Sequence, residues 1–172
     1  MYILGISCFY HDSAAAILKD GMLIAAAEEE RFSRIKHDSG FPENAVHFCL
    51  DFAGISAGEL DYVVFYEKPF HKFERILLTS AQTYPKSWKL FREAMIAWMG
   101  DKLWVKSIIR ERLGVDYDKI LFAEHHLSHA ASAFYPSPFS EAAILTVDGV
   151  GEWTTTAMGR GKGTDIQLLK EI

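Results

Sequence analysis

Three histidines stand within five residues at His125-His126-Leu127-Ser128-His129. On a helix, a separation of four places His125 and His129 on one face, within reach of a single metal ion. The same pair also reads as satisfied core histidines, and His126, which faces elsewhere on a helix, reads as structural or as the support of a ligand. Two imidazoles do not close a metal site, and centres of this kind draw oxygen from a carboxylate as well. Asp148 is the candidate for that oxygen. It follows the apolar run 142–147, and a strand end carries its side chain into the cleft beyond a sheet. These ligand types admit Fe(II), Zn(II) or Mn(II) alike.

Asp148 also opens Asp148-Gly149-Val150-Gly151. Glycines let a backbone approach a phosphate closely and turn its N–H groups toward the anion, which makes Gly149, Val150 and Gly151 candidate phosphate-binding positions. The same four residues make an ordinary tight turn. Their place after a buried strand, echoed by His11-Asp12-Ser13 after the first strand, suits two facing hairpins that grip a phosphate chain. The segment 28–41, EEERFSRIKHDSGF, reads either as a solvated turn or as a cation cluster. In the second reading Arg31, Arg34, Lys36 and His37 suit a carboxylate or phosphate. No GxSxG pattern occurs and neither Cys8 nor Cys49 adjoins a base, so a nucleophilic triad has no support.

The elements that must position these groups can be read from periodicity. Residues 2–8, 13–18 and 22–27 read as strands, and Lys19-Asp20-Gly21 as a turn joining antiparallel neighbours. A helix opens at Pro42, carries the stripe Val46, Leu50, Phe52 and Ala53, and stops at Gly54. A strand follows at 62–66. Residues 67–113 hold ten Lys and Arg against five acids and three of the four tryptophans, Trp88, Trp98 and Trp104. Trp88, Phe91, Met95, Trp98 and Lys102 fall at helical spacing, so two or three amphipathic helices are expected. Their aromatic face is either plain core with a solvated basic face behind it, or part of a basic lid over an anionic ligand.

A strand at 120–123 leads into the histidines and a small-residue helix that ends near Pro136. Then come strands at 142–147 and 153–158, a glycine-rich turn at 159–163 and a strand at 166–169, repeating the plan of residues 2–29. The expectation is a mixed α/β sheet flanked by helices. Residues 1–140 would form a complete first subdomain, with 67–113 as a helical basic insert. Residues 141–172 would form the opening strands of a second one, so the chain reads as a piece of a longer protein or a truncated product.

The chain has 172 residues and a net charge of −5, with 49% apolar and 24% charged residues. That balance suits a globular domain with no general attraction to nucleic acid or anionic membrane. Two cysteines make neither a disulfide framework nor a zinc site, and no apolar run reaches the roughly 18–20 residues that span a bilayer. The first ten residues lack the basic start of a signal peptide, so a cytoplasmic protein is expected.

Four co-linear segments, ILGISCFYHDSAAAILKDG, AAAEEERFSRIKHDSGFP, EHHLSHAASAFYPSPF and ILTVDGVGEW, resemble the carbamoyltransferases of the NodU/CmcH type. These enzymes decorate nodulation factors and antibiotics with a carbamoyl group. The resemblance covers essentially the whole chain and is least marked over 67–113. It implies the sugar kinase/actin/heat-shock ATPase superfold, that is, an actin/ribonuclease-H-like mixed sheet. It further implies that a C-terminal YrdC-like domain makes carbamoyladenylate from carbamoyl phosphate and ATP. The part present here would pass the carbamoyl group to the hydroxyl of a small acceptor molecule.

By this resemblance His125 and His129 match iron ligands, which favours Fe(II), and Asp148 matches the acidic residue beside them. His11 and Asp12 match a loop lining the site and are candidates for handling the hydroxyl proton. Lys36 matches a basic position that binds acceptor or phosphate. The family's further carboxylate ligand lies beyond the sequence in hand, so the chain alone is expected to bind metal weakly and to show no carbamoyl transfer. Two other readings compete. One is a transferase of the tRNA-threonylcarbamoyl kind, to which the family is similar, although its histidine motif differs after the first His. The other is a non-catalytic nucleotide- or metal-binding module. Pairing into a homodimer is expected only from apolar surface that an incomplete second half would expose.

Overall fold

The computed structural model describes residues 1–149 and 151–172, with the backbone alone for Ala97 and Asp101. The chain divides into two compact units, one of Met1–Tyr66 with Met99–Phe122 and one of Glu67–Trp98 with Ala123–Ile172. The stretch 67–113 is therefore not a single body. Its first part belongs to the second unit and its remainder to the first.

The first unit is built on strands β1 (Tyr2–Ser7), β2 (Ala14–Lys19), β3 (Met22–Glu28), β4 (Tyr62–Phe65) and β5 (Ile120–Phe122), in the sheet order β3-β2-β1-β4-β5. The first three form an antiparallel meander, and β4 and β5 add parallel to β1 and to each other. The tight turn between β2 and β3 has positive φ at both Asp20 (51°) and Gly21 (82°), the two-residue geometry that matches strand twist. Alternation then sends Leu4 and Ile6 of β1 and Ala15 and Ile17 of β2 into the core. Helix α1 (Glu30–Ser33) is a single turn, and α2 (Glu43–Ala53) buries Ala45, Val46, Cys49 and Leu50 at helical spacing. Pro42 stands at the cap of α2 rather than inside it.

What starts α2 is Glu29. It is buried, and its carboxylate accepts the backbone N–H groups of Asn44 and Ala45 and the Asn44 side-chain amide. Those N–H groups have no partner inside the helix, so a buried start needs such an acceptor.

The second unit contains α3 (Pro69–Gln82) and α4 (Trp88–Ala97); α5 (Val105–Leu113) belongs to the first, where Val105 and Ile109 join the core. Of the two or three helices expected over 67–113, three α-helices are present. Of their tryptophans, Trp98 is buried near Phe73, whereas Trp88 and Trp104 are exposed. The second unit also holds α6 (His125–Phe134) and the antiparallel meander β6 (Glu141–Val147), β7 (Thr156–Lys162) and β8 (Asp165–Glu171). Like the first meander, it carries a register shift in its second hairpin.

Sequence pattern alone predicts a strand at 153–158 and a glycine-rich turn at 159–163. Instead β7 runs through Gly159 and Gly161, and the turn begins at Gly163, where φ is 59°. The two strand glycines serve close approach. A Cβ on Gly161 would lie 2.6 Å from the Phe134 ring of α6, and one on Gly159 would lie 2.5 Å from the Gln167 carbonyl of β8. Phe134 thus rests on bare backbone, and Ala130, Phe134 and Ile144 form the small core that holds α6 to the sheet.

Candidate metal centre

Helix α6 begins at His125, so both histidines lie in its first turns, one above the other. Their rings stand edge to face with centroids 4.7 Å apart, and the two Nε2 atoms are 3.1 Å apart. Asp148 follows β6 directly. Its N–H donates to Thr155 O at 2.8 Å, and its own Oδ1 accepts the Gly149 N–H at 2.7 Å, which fixes the carboxylate. Oδ2 then lies 2.6 Å from His125 Nε2 and 4.0 Å from His129 Nε2. All three residues belong to the second unit, and the three ligand atoms converge within 4.8 Å.

The donor set fits a divalent transition ion. Ligands bound to one such ion at roughly 2.0–2.2 Å stand about 3–3.5 Å from one another. The His125–His129 separation of 3.1 Å lies in that range, and the Asp148 distances of 2.6 and 4.0 Å bracket it. Two imidazoles and a carboxylate are also the ligand chemistry of iron, zinc and manganese centres.

His126 takes the structural part. It is buried, with Nδ1 bonded to Thr146 Oγ1 at 2.8 Å and Nε2 to Thr154 O at 2.9 Å. That pair of bonds ties α6 to β6 and to the segment after Asp148. Gly151 is needed in the same place, since a Cβ there would meet Thr154 O at 2.1 Å and His126 Nε2 at 2.9 Å. Gly149 has open space around it. Val150 lies outside the described residues.

Several neighbours carry no local signal in the sequence. Glu67 and Lys72 form a buried ion pair at 2.9 Å, and Glu67 Oε2 lies 3.4 Å from His125 Nδ1. Arg75 of α3 donates to Gly151 O at 2.8 Å, and Glu152 accepts the Lys68 backbone N–H. Only Glu152 could have been read, as the acid closing the glycine motif. A cavity of about 150 Å³ lies against His125, between His71, Glu124, Glu152 and Trp153.

His11, Asp12 and Lys36 belong to the first unit. Asp12 sits between two imidazoles, with Oδ2 2.7 Å from His11 Nδ1 and Oδ1 2.8 Å from His37 Nδ1, while the His37 N–H donates to Glu30 Oε2. The bonds to His37 and then His11 hold the Asp12 carboxyl below its ordinary range and raise His37. Lys36 is exposed on the same loop.

At the candidate metal centre, the Glu67 carboxylate 3.4 Å from Nδ1 raises the His125 pKa against the opposing effect of burial, with Asp148 adding to the rise. Burial, followed by the charge of His125, lowers His129. Burial pushes Glu67 and Asp148 up, but their cationic partners outweigh it and both carboxyls end below their ordinary values. The His125 contribution to stability is then complete below its ordinary value of 6.5 and lost as pH rises through its raised folded value. The carboxylate contributions are complete above 4.5 for Glu67 and 3.8 for Asp148, and vanish as pH falls through their lowered values. The metal-free chain should therefore lose its stability margin over His125→Gln as pH rises above 6.5, a trend that melting curves at several pH values would test. A margin that stays constant through neutral pH would contradict it.

Residues 2–172 match the family model described as the carbamoyltransferase N-terminus. The Synechocystis protein sll1178 is 51% identical over 99% of this chain and 29% of its own length. The nodulation protein NolNO of Sinorhizobium fredii is 34% identical over 94% of this chain and 23% of its own length. The chain thus spans less than a third of these relatives. Among solved structures, YeaZ from Pseudomonas aeruginosa superposes with a TM-score of 0.50 at 13% identity, over 99% of this chain and 64% of that one. With the five-stranded mixed sheet flanked by helices, this likeness shows the actin/ribonuclease-H-like fold. Among the described residues no helix is long and apolar enough to cross a membrane.

Proposed function

The chain belongs to the carbamoyltransferase N-terminus family, and from that premise we propose that its second unit is the metal-binding part of an O-carbamoyltransferase. The observation that carries this reading is the convergence of His125, His129 and Asp148 on one point. The donor would be carbamoyladenylate, made from carbamoyl phosphate and ATP by a separate YrdC-like domain, and the acceptor the hydroxyl of a small molecule. In the transfer, the acceptor oxygen bonds to the carbamoyl carbon, the bond from that carbon to the phosphate oxygen breaks, and AMP leaves with the electron pair.

A divalent ion, Fe(II) by resemblance, would supply Lewis-acid polarisation and orientation of the phosphoryl oxygens. The rest falls to side chains. His125 and His129 present Nε2 atoms, and Asp148, fixed by the Gly149 N–H, presents Oδ2. An acceptor hydroxyl is a poor nucleophile at neutral pH and needs a base. The resemblance gives that part to the His11–Asp12 loop of the first unit, where Asp12 Oδ2 lies 2.7 Å from His11 Nδ1. Lys36, exposed on the same part of the first unit, is by resemblance a basic position for phosphate or acceptor.

This reading is tested by calorimetric titration of the metal-free chain with AMP, with and without Co(II). The ion should tighten AMP binding by about tenfold or more, equivalent to roughly 1.4 kcal/mol, and His129→Ala should abolish the gain. Equal AMP affinity with and without the ion would contradict it.

A further inference from the structure

We propose that Glu67 is a positioning residue of the metal centre, holding His125 by its Nδ1 edge so that Nε2 faces the ion. This rests on the reading of His125, His129 and Asp148 as the ligands. Glu67 stands two residues before α3, and Lys72 lies within the first turn of that helix. Both are buried, at 7% exposure each, and their charges compensate at 2.9 Å. The same carboxylate oxygen that takes Lys72 Nζ lies 3.4 Å from His125 Nδ1.

His125 is therefore bracketed. One imidazole edge faces a buried carboxylate locked by a lysine, and the other faces Asp148 and His129 at 2.6 and 3.1 Å. A neutral imidazole carries one proton. A carboxylate at Nδ1 draws the proton there and leaves the Nε2 lone pair for a cation. Asp148 is more open to solvent than Glu67, with 30% of its side chain exposed against 9%. Of the two carboxylates, Glu67 is the more deeply buried and is held by Lys72, whereas Asp148, held at Oδ1 by the Gly149 N–H, keeps Oδ2 on the open side for an ion. The competing role for Glu67 is simply to neutralise Lys72 and seat α3. That role predicts no effect on metal affinity once Lys72 is removed as well.

The experiment titrates the metal-free chain with Co(II), following its visible absorption, for wild type, Glu67→Gln, the double variant Glu67→Gln with Lys72→Met, and His125→Ala. Both Glu67 variants should weaken Co(II) binding by about 10–100-fold and alter the absorption bands. The double variant, which leaves no uncompensated lysine, should do so with the metal-free melting temperature close to that of wild type. Glu67→Asp should recover part of the affinity. Co(II) affinities of both Glu67 variants within about twofold of wild type would overturn the proposal. If wild type takes up no Co(II), or His125→Ala binds it equally well, the metal-centre reading fails and Glu67 loses its role with it.

Discussion

Replacing His125 by Ala should reduce divalent-metal affinity by at least about 100-fold, or roughly 2.7 kcal/mol. The imidazole is the hub of the cluster, within 2.6 Å of Asp148, 3.1 Å of His129 and 3.4 Å of Glu67. Its removal deletes a ligand and leaves only two, His129 Nε2 and Asp148 Oδ2, which lie 4.0 Å apart. His129→Ala removes a more exposed ring at the edge of the cluster and should have the smaller effect. Metal titration of both variants checks the order, and equal losses would contradict a hub at His125.

The second large effect lies in the support beneath α6. Gly161→Ala should cost about 1–3 kcal/mol of stability, because the new methyl would enter the Phe134 ring. Phe134→Ala should cost about 3–5 kcal/mol by emptying the small core of the second unit. Combined, the two should cost less than their sum, since the truncated side chain frees the space that the Gly161 methyl needs. Both histidines ride on the helix that Phe134 anchors, so Gly161→Ala should weaken metal uptake as well. Urea unfolding of the four species tests the coupling. Strict additivity would mean that the glycine is not there to admit the ring.

What could be read in advance was what periodicity and short spacing encode. The meander of residues 2–28 follows from alternation and a two-residue turn. The shared face of His125 and His129 follows from their separation of four, and the position of Asp148 from the strand before it. What could not be read depends on distant partners. Glu28, Glu29 and Glu30 look identical in a charge run, yet one pairs with Arg31, one is buried against the first N–H groups of α2, and one accepts the His37 N–H. Burial, not local pattern, separates them. Glu67 meets His125 across 58 positions, and no spacing rule reaches that far. The glycines of β7 misled for a related reason. Glycine commonly marks a turn, but at Gly161 it makes room for an aromatic ring that arrives from another element.

The most direct test is anomalous diffraction from crystals of the chain loaded with Co(II) or Fe(II). The expected result is a peak within bonding distance of His125 Nε2, His129 Nε2 and the Asp148 carboxylate. A peak at Asp12, Glu30 and His37 instead, the other convergent set of side chains among the described residues, would contradict the account.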